Sequence, residues 1–116
     1  MGKNGPSRDW INQDPLTIIE RGNIHFCLEY RSVEVNGQEI ELTIKEFDIL
    51  ALLIMNPKRV FTYEMIMDIV WHEQYDFYSR KTINNHISNL RRKLKTSPDE
   101  PECIKSVHGI GYKFDL

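Results

Sequence analysis

The sequence predicts an α+β fold, in which a four-stranded antiparallel sheet is followed by three helices and a closing β-hairpin. Apolar and polar residues alternate in the first part of the chain, and apolar residues then recur at helical spacing. The last residues return to an extended pattern around two glycines. With 116 residues the chain can bury one core, so we expect a single domain over 15–116.

Two turns divide the first part of the chain into strands. Gly22-Asn23 separates the two halves of 17–28, and Asn36-Gly37 separates the two halves of 32–42. Both turn positions of a type I′ hairpin need a positive φ, which Asn-Gly tolerates well. We therefore expect an antiparallel sheet of four short strands.

A capping box opens the first predicted helix. The Thr43 hydroxyl and the Glu46 carboxylate are spaced to bond each other's backbone N–H groups. The helix is expected to reach Met55, because the proline of Asn56-Pro57 disfavours helical geometry in the residue before it. Its residues are apolar on nearly every side, which predicts a central position in the core.

The second helix is predicted to run up to Trp71, with Thr62 as its N-cap. Its inner stripe at i, i+3 and i+4 would consist of Ile66, Ile69 and Val70. Trp71 falls on the opposite side. It is either a core residue or half-exposed, with its indole N–H free to donate to a phosphate.

The third helix is predicted from about Arg80 to Lys95, with Ser79 as its N-cap. One narrow apolar stripe runs along it: Ile83, Ile87, Leu90 and Leu94. Polar and basic residues lie opposite the stripe or beside that face: Lys81, Asn84, Asn85, Ser88, Asn89, Arg91, Arg92 and Lys95. The segment holds six Lys or Arg and no acid, so the rest of a chain with net charge −2 sums to −8. Such a concentration of charge is typical of a polyanion-binding surface.

The polar face has the chemistry that a helix needs to enter the major groove of DNA. Cations meet phosphates, and the amides of Asn85 and Asn89 carry the donor and acceptor that adenine requires. The alternative is a solvated charged face, but such a face usually has acids at i,i+4 as partners, and this one has none. We therefore predict double-stranded DNA as the partner, with a protein-binding domain as the second hypothesis.

A second hairpin is predicted where residues 104–107 and 112–114 bracket His108-Gly109-Ile110-Gly111. Both glycines are expected to supply positive φ. The hairpin would form a slim wing with four polar residues near its tip or flanks: Ser106, His108, Tyr112 and Lys113.

The sequence contains no motif typical of an enzyme or of a metal-binding protein. There is no P-loop and no nucleophile elbow, so we predict neither catalysis nor a cofactor. His25 with Cys27, and Cys103 with His108, match no zinc-ligand spacing, and both cysteines are expected to be buried thiols in a reducing cytoplasm. No apolar run approaches the ~20 residues of a membrane span, and 1–14 is predicted to be a linker or cloning remnant without a secretory signal.

Four ordered motifs carry a resemblance to a known family. They are Leu42-Thr43 with Glu46-Phe47 and Leu50; Asp68-Ile69-Val70-Trp71; Arg80-Lys81-Thr82-Ile83-Asn84-Asn85-His86-Ile87 with Leu90-Arg91-Arg92-Lys93-Leu94; and Val107-His108-Gly109-Ile110-Gly111-Tyr112-Lys113-Phe114. From about residue 17 to its end, the chain resembles the C-terminal effector domain of OmpR/PhoB-type response regulators. The resemblance implies a winged helix-turn-helix that binds promoter DNA and controls transcription.

The resemblance also implies partners. A separate receiver domain, phosphorylated by a sensor kinase, would promote dimers on tandem DNA repeats, whereas the isolated domain would be a monomer. The loop 72–79 would contact RNA polymerase through His72, Tyr75, Phe77 and Tyr78, or its aromatics would instead pack on the domain. Since 116 residues leave no room for a receiver domain, the chain is either an excised effector domain or a stand-alone regulator.

Individual roles follow from the same resemblance. It places Trp71, Arg80, His86, Ser88, Arg91 and Tyr112 at phosphate-contacting positions, and Asn84, Asn85 and Asn89 at base-reading positions. By charge or polarity we add further phosphate contacts: Lys81, Arg92, Lys95, Ser106 and Lys113. His108 stands where many members place an arginine that enters the minor groove. Because a neutral histidine is attracted less than arginine, we expect the wing of this chain to bind the minor groove more weakly, or to bind it in a way that strengthens as pH falls. Members often have arginine at Ser88 too, which weakens the expectation of a contact there.

Overall fold

The computed structural model describes residues 15–116, and the predicted linker 1–14 lies outside them. The strands in this part of the chain are β1 Ile18–Arg21, β2 Ile24–Cys27, β3 Ser32–Val35, β4 Gln38–Ile40, β5 Phe61–Thr62, β6 Ile104–Val107 and β7 Gly111–Phe114. The helices are α1 Ile44–Ile54, α2 Tyr63–Ile66, which continues as a π-helical turn over Met67–Trp71, and α3 Ser79–Leu94. The predicted α+β architecture, with a sheet, three helices and a hairpin, is confirmed.

The N-terminal sheet has the order β1-β2-β3-β4, with every pair antiparallel. The turn between β3 and β4 has φ of 54° at Asn36 and 77° at Gly37, which confirms the predicted positive values. β4 ends at Ile40 and not at Leu42 as predicted. In this register Leu42 would pair with Arg31, whose φ of 50° places it in the preceding turn. One row across the sheet packs against the core: Ile19, Phe26, Val33 and Ile40.

The capping box at the start of α1 is confirmed. Thr43 Oγ1 accepts a hydrogen bond from the Glu46 N–H (3.2 Å), and Glu46 Oε1 accepts one from the Thr43 N–H (2.9 Å). Glu46 is only 2% exposed and also accepts a hydrogen bond from Lys93 Nζ in α3 (2.7 Å). Burial raises the pKa of Glu46, but the bonds from Lys93 and Thr43 outweigh it and hold that pKa below 4.5. The cap therefore also joins α1 to α3.

α1 lies at the centre of the domain, as its apolar composition predicted. Four of its side chains are completely buried: Ile49, Leu50, Leu53 and Ile54. At its start, Ile44 is 72% exposed, whereas Phe47, one turn later, is already buried.

The predicted inner stripe of the second helix is partly wrong. Thr62 does cap it, accepting a hydrogen bond from the Met65 N–H (3.1 Å), and Ile66 and Val70 are buried. Ile69, however, is 43% exposed, and Met67 is buried in its place. The wider π-helical turn changes the angle between successive side chains, so the ordinary i+3 spacing no longer points inward.

α3 buries its predicted stripe of Ile83, Ile87, Leu90 and Leu94. The prediction that Ser79 is its N-cap is wrong, because Ser79 is fully buried as the first helical residue and Tyr78 occupies the cap position. Ser79 Oγ instead accepts a hydrogen bond from the Asp76 N–H (2.8 Å) and donates one to Asp76 Oδ1 (3.1 Å). Its hydroxyl therefore closes the loop before α3 rather than capping the helix.

The C-terminal hairpin belongs to a second sheet of order β5-β7-β6. Its strand β5, which was not predicted, is two residues long and pairs Phe61 with Tyr112 and Thr62 with Gly111. Gly109 has the predicted positive φ (72°), but Gly111 does not. A Cβ at Gly111 would stand 1.9 Å from the Phe61 carbonyl oxygen, so this glycine permits the close approach of β5.

Cys27 and Cys103 are free and buried, as predicted. Burial, with the charge of Glu102 beside it, raises the pKa of Cys103 to about 11, so this thiol stays protonated at neutral pH. Within residues 15–116, no helix has the length and hydropathy needed to cross a membrane.

Candidate nucleic-acid interface

The side chains of α3 divide among several directions, because successive residues project about 100° apart around a helix. The buried stripe faces the core. One flank, called here the wing seam, faces the β6–β7 hairpin and consists of Arg80, Asn84 and Arg91. The side opposite the core, called here the reading face, consists of Lys81, Asn85, Ser88, Asn89 and Arg92.

All five residues of the reading face are exposed. Arg92 Nη1 donates to Asn89 Oδ1 (3.1 Å) within it. Among the described residues, neither Lys81 nor Arg92 forms an ion pair. The reading face therefore offers unneutralised cations beside amide and hydroxyl groups, which is the composition predicted for it.

Three other cations of the segment form ion pairs with acids outside the helix, so less of its positive charge is available than the sequence predicted. Lys93 pairs with Glu46 (2.7 Å). Arg91 and Lys95 both approach Glu102, at 3.5 Å and 3.9 Å. These acids come from α1 and from the loop before β6, so a search for partners within the helix could not find them. The positive charge is consequently concentrated on the reading face and at Arg80.

The wing seam joins α3 to the hairpin through three side chains, of which the two arginines form the outer contacts. Arg80 donates to the Gly109 carbonyl at the wing tip (3.4 Å) and stacks 4.5 Å from the centre of the Tyr63 ring. Arg91 donates to the Ile104 carbonyl (2.7 Å for Nη2) at the wing base. Two of the predicted phosphate contacts thus already bind protein acceptors.

Asn84 lies between these two arginines and is half-buried. Its Oδ1 accepts hydrogen bonds from the hydroxyls of Tyr63 (2.9 Å) and Tyr112 (2.6 Å). The two rings also meet edge to face, with centroids 5.8 Å apart. Burial, reinforced by the neighbouring Tyr63 hydroxyl, raises the pKa of Tyr112 to about 12, so its hydroxyl remains a donor at neutral pH.

The opposite flank of α3 packs against the end of the second helix. The rings of Trp71 and His86 meet edge to face at 5.1 Å, and Trp71 is half-buried, which agrees with the half-exposed alternative and not with a core position. His86 Nδ1 lies 2.9 Å from the Thr82 carbonyl, which can only accept, so Nδ1 carries the proton. Lys45, which was not among the predicted site residues, donates to the Val70 carbonyl (2.9 Å), and its Nζ lies 5.6 Å from the Trp71 ring centre.

The wing presents a small polar and apolar tip. His108, Gly109 and Ile110 are all exposed, and Ile110 retains 49% of its surface. Ser106 is exposed but accepts a hydrogen bond from Arg91 Nη2 (2.9 Å), and Lys113 lies 3.9 Å from Asp115. Of the predicted wing residues, Ser106 and His108 are exposed, whereas Tyr112 is only 5% exposed.

The loop between the second helix and α3 leaves its aromatics in solvent. Phe77 is 90% exposed, Tyr78 is 69% exposed and Tyr75 is 40% exposed, so the alternative that these rings pack on the domain is wrong for the first two. The Phe77 and Tyr78 rings contact each other edge to face at 5.2 Å. His72 is also exposed and ends the helix in the left-handed region, with φ of 58°.

Comparison with known proteins agrees with this geometry. The family model described as "Transcriptional regulatory protein, C terminal" matches residues 37–114. The uncharacterized transcriptional regulatory protein YcbL of Bacillus subtilis is 45% identical over 97 residues, which cover 84% of this chain and 42% of that protein. The chain thus spans less than half the length of that curated relative.

Solved structures of DNA-binding domains also superpose on this chain. The DNA-binding domain of CpxR from E. coli is 29% identical and superposes with a TM-score of 0.76, covering 85% of this chain and 96% of that one. The Klebsiella pneumoniae RstA DNA-binding domain, solved in complex with RstA box, is 28% identical with a TM-score of 0.75, covering 84% and 96%. The chain therefore belongs to the family of C-terminal DNA-binding effector domains of transcriptional regulatory proteins, of the OmpR/PhoB type.

Proposed function

We propose that α3 binds in the major groove of a promoter through its reading face, while the tip of the wing contacts the adjacent minor groove. The observation that carries the proposal is the reading face itself, where exposed Lys81 and Arg92 flank exposed amides and no acid is present. A face of this kind can neutralise phosphates and hydrogen-bond base edges at the same time.

Base reading is assigned to Asn85 and Asn89, whose amides are exposed on the reading face. His108 is the remaining base-reading candidate, at the wing tip. Phosphate contacts are assigned first to Lys81 and Arg92. The other predicted phosphate contacts stay predictions: Trp71, Arg80, His86, Ser88, Arg91, Lys95, Ser106, Tyr112 and Lys113. Of these, Arg80, Arg91 and Tyr112 already donate to protein acceptors, which a phosphate would have to replace.

The larger protein is proposed to be a cytoplasmic two-component response regulator. A receiver domain, modified by a sensor kinase, would bring two copies of the 15–116 domain together on tandem repeats. The isolated domain would then be a monomer in solution and a dimer on DNA. The exposed aromatics Phe77 and Tyr78 support the proposal that the loop 72–79 contacts RNA polymerase, with His72 and Tyr75 beside them.

Selection of binding sites from a pool of random duplexes tests the proposed function directly. The enriched motif would then be titrated with the domain by fluorescence anisotropy over a range of salt concentrations. Because phosphate contacts release counterions, the logarithm of affinity should fall linearly with the logarithm of salt. An affinity for duplex that does not change with salt would instead favour the protein-binding hypothesis.

Arg92→Ala is expected to weaken binding to all duplex sequences alike and to reduce the salt slope by about one, because it removes one phosphate contact. The measurement is the slope of log Kd against log salt for selected and scrambled duplexes. Arg21→Ala is the matched control, since Arg21 is exposed on β1 in the other sheet. An equal change in both variants would mean that only net charge matters.

Asn85→Ala is expected to relax the preference at one base pair by about 1–3 kcal/mol, because the lost amide supplies a bidentate contact. Affinities for duplexes with all four bases at each position measure this. Asn89→Ala is the matched variant and should relax a different position, since Asn89 lies one helical turn later. An unchanged motif after Asn85→Ala would remove Asn85 from the base-reading set.

A further inference from the structure

We propose that Asn84 is a positioning residue, which orients the β6–β7 wing against α3 and so determines which bases the wing reaches, and that it reads no base itself. The proposal rests on the proposed DNA contacts of α3 and the wing, and it explains how those two elements are held together. It replaces the base-reading role that the resemblance implies for Asn84.

The side-chain oxygen of Asn84 is already fully hydrogen-bonded within the protein. An amide oxygen has two lone pairs, and Oδ1 of Asn84 uses both, at 2.9 Å from Tyr63 Oη and 2.6 Å from Tyr112 Oη. Recognition of adenine by asparagine needs that oxygen as the acceptor for the base amino group. Asn84 could therefore read adenine only by releasing a tyrosine hydroxyl, and Tyr112 is only 5% exposed, so its hydroxyl would lose its partner in a buried site.

The position of the contact is the second argument. One oxygen atom on α3 joins the start of α2, through Tyr63, to β7 in the wing, through Tyr112. β7 has little other strand pairing to the body of the domain, because its partner β5 is only two residues long. The side-chain contact thus supplements the short β5–β7 pairing that joins the wing to the body of the domain.

The two arginines of the wing seam complete the arrangement. Arg80 holds the wing tip at the Gly109 carbonyl, and Arg91 holds the wing base at the Ile104 carbonyl. Both guanidinium groups also stack on the rings that bind Asn84, at 4.5 Å from the Tyr63 centroid and 5.3 Å from the Tyr112 centroid. Asn84 thus forms the central of three contacts from one side of α3 that hold the wing.

Hydrogen exchange of the free protein tests the positioning role without DNA. Tyr63→Phe and Tyr112→Phe each remove one hydroxyl and keep the ring. Each should speed amide exchange in β6 and β7 by about three- to tenfold, as expected for the loss of one buried hydrogen bond, and leave β1–β4 unchanged. Tyr30→Phe is the matched control, since Tyr30 is 71% exposed at the turn between β2 and β3.

Substitution of Asn84 itself separates positioning from reading. Asn84→Asp keeps an oxygen that can accept from both tyrosines, so exchange in β6 and β7 should remain at the parent rate. Asn84→Ala removes the acceptor and should speed that exchange. On the selected duplex, hydroxyl-radical footprints of Asn84→Ala and both Tyr→Phe variants should lose protection under the wing while the base preference under α3 stays the same.

Two results would overturn the proposal. One is exchange in β6 and β7 that is as slow in the Tyr63→Phe and Tyr112→Phe variants as in Tyr30→Phe. The other is an Asn84→Asp variant that changes the base preference under α3 while exchange stays at the parent rate, since that would make Asn84 a base reader. If the parent chain binds no duplex, the proposed function fails, and the exchange measurements still decide whether Asn84 holds the wing.

Discussion

Gly111→Ala is expected to lower the free energy of unfolding by about 3 kcal/mol, because the new methyl group would overlap the backbone of the neighbouring strand. The Cβ would stand 1.9 Å from the Phe61 carbonyl oxygen and 2.8 Å from the Thr62 Cα. Both atoms belong to the backbone, so no side-chain rotation relieves the overlap and β5 must separate from β7. Urea denaturation followed by circular dichroism measures the loss.

Gly37→Ala is the graded control for this prediction. Gly37 also needs a glycine, for its φ of 77°, but nothing lies within 4 Å of the position of its Cβ. Gly37→Ala should therefore lower the free energy of unfolding by only about 1 kcal/mol, which is the penalty of a left-handed conformation alone. Equal losses at the two glycines would show that backbone conformation, and not the approach of β5, explains the requirement at Gly111.

Local features of this domain could be predicted from the sequence because each depends on residues a few positions apart. The Thr43–Glu46 capping box and the Asn36-Gly37 turn are of this kind, and both are confirmed. The buried stripe of α3 is predictable for the same reason, since helical periodicity alone places its members on one side. These features are sufficient to indicate the fold class and the helix that carries the reading face.

Features that depend on a distant partner could not be predicted. β5 is too short to show an alternating pattern, and it is a strand only because β7 lies beside it. The π-helical turn leaves Ile69 exposed, and the spacing of apolar residues in the sequence does not predict such a turn. In both places tertiary packing overrides local preference.

The same limit applied to the candidate interface. The sequence predicted six cations in the segment from Arg80 to Lys95, but three of them form ion pairs with two acids of other elements, Glu46 in α1 and Glu102 in the loop before β6. The family resemblance places Asn84 and Asn85 together at base-reading positions. Only the hydroxyls of Tyr63 and Tyr112 distinguish the two, and they reach Asn84 from other elements.

Glu46→Ala is expected to lower the free energy of unfolding at neutral pH by about 2–4 kcal/mol, the sum of a lost helix cap and a lost hydrogen bond between charged groups. Glu46→Gln retains the capping box and should lose only the part that depends on the charge beside Lys93. Glu41→Ala, an exposed acid just before α1, is the matched control and should change stability by less than about 0.5 kcal/mol. Urea denaturation of the three variants separates the two contributions.

The pH dependence of the same variants gives the larger test of how α1 is joined to α3. The pKa of Glu46 in the folded domain lies below the ordinary 4.5, so the native state binds fewer protons than the unfolded chain. The stability that the carboxylate contributes is therefore fully present above pH 4.5 and is lost as pH falls through the lowered pKa of the folded state. The difference in stability between the parent and Glu46→Gln should accordingly shrink on acidification below pH 4.5, whereas the effect of Glu41→Ala should stay small. A difference that is constant with pH would mean that Glu46 acts through packing and the cap alone, and that its charge does not hold Lys93 and α3 in place.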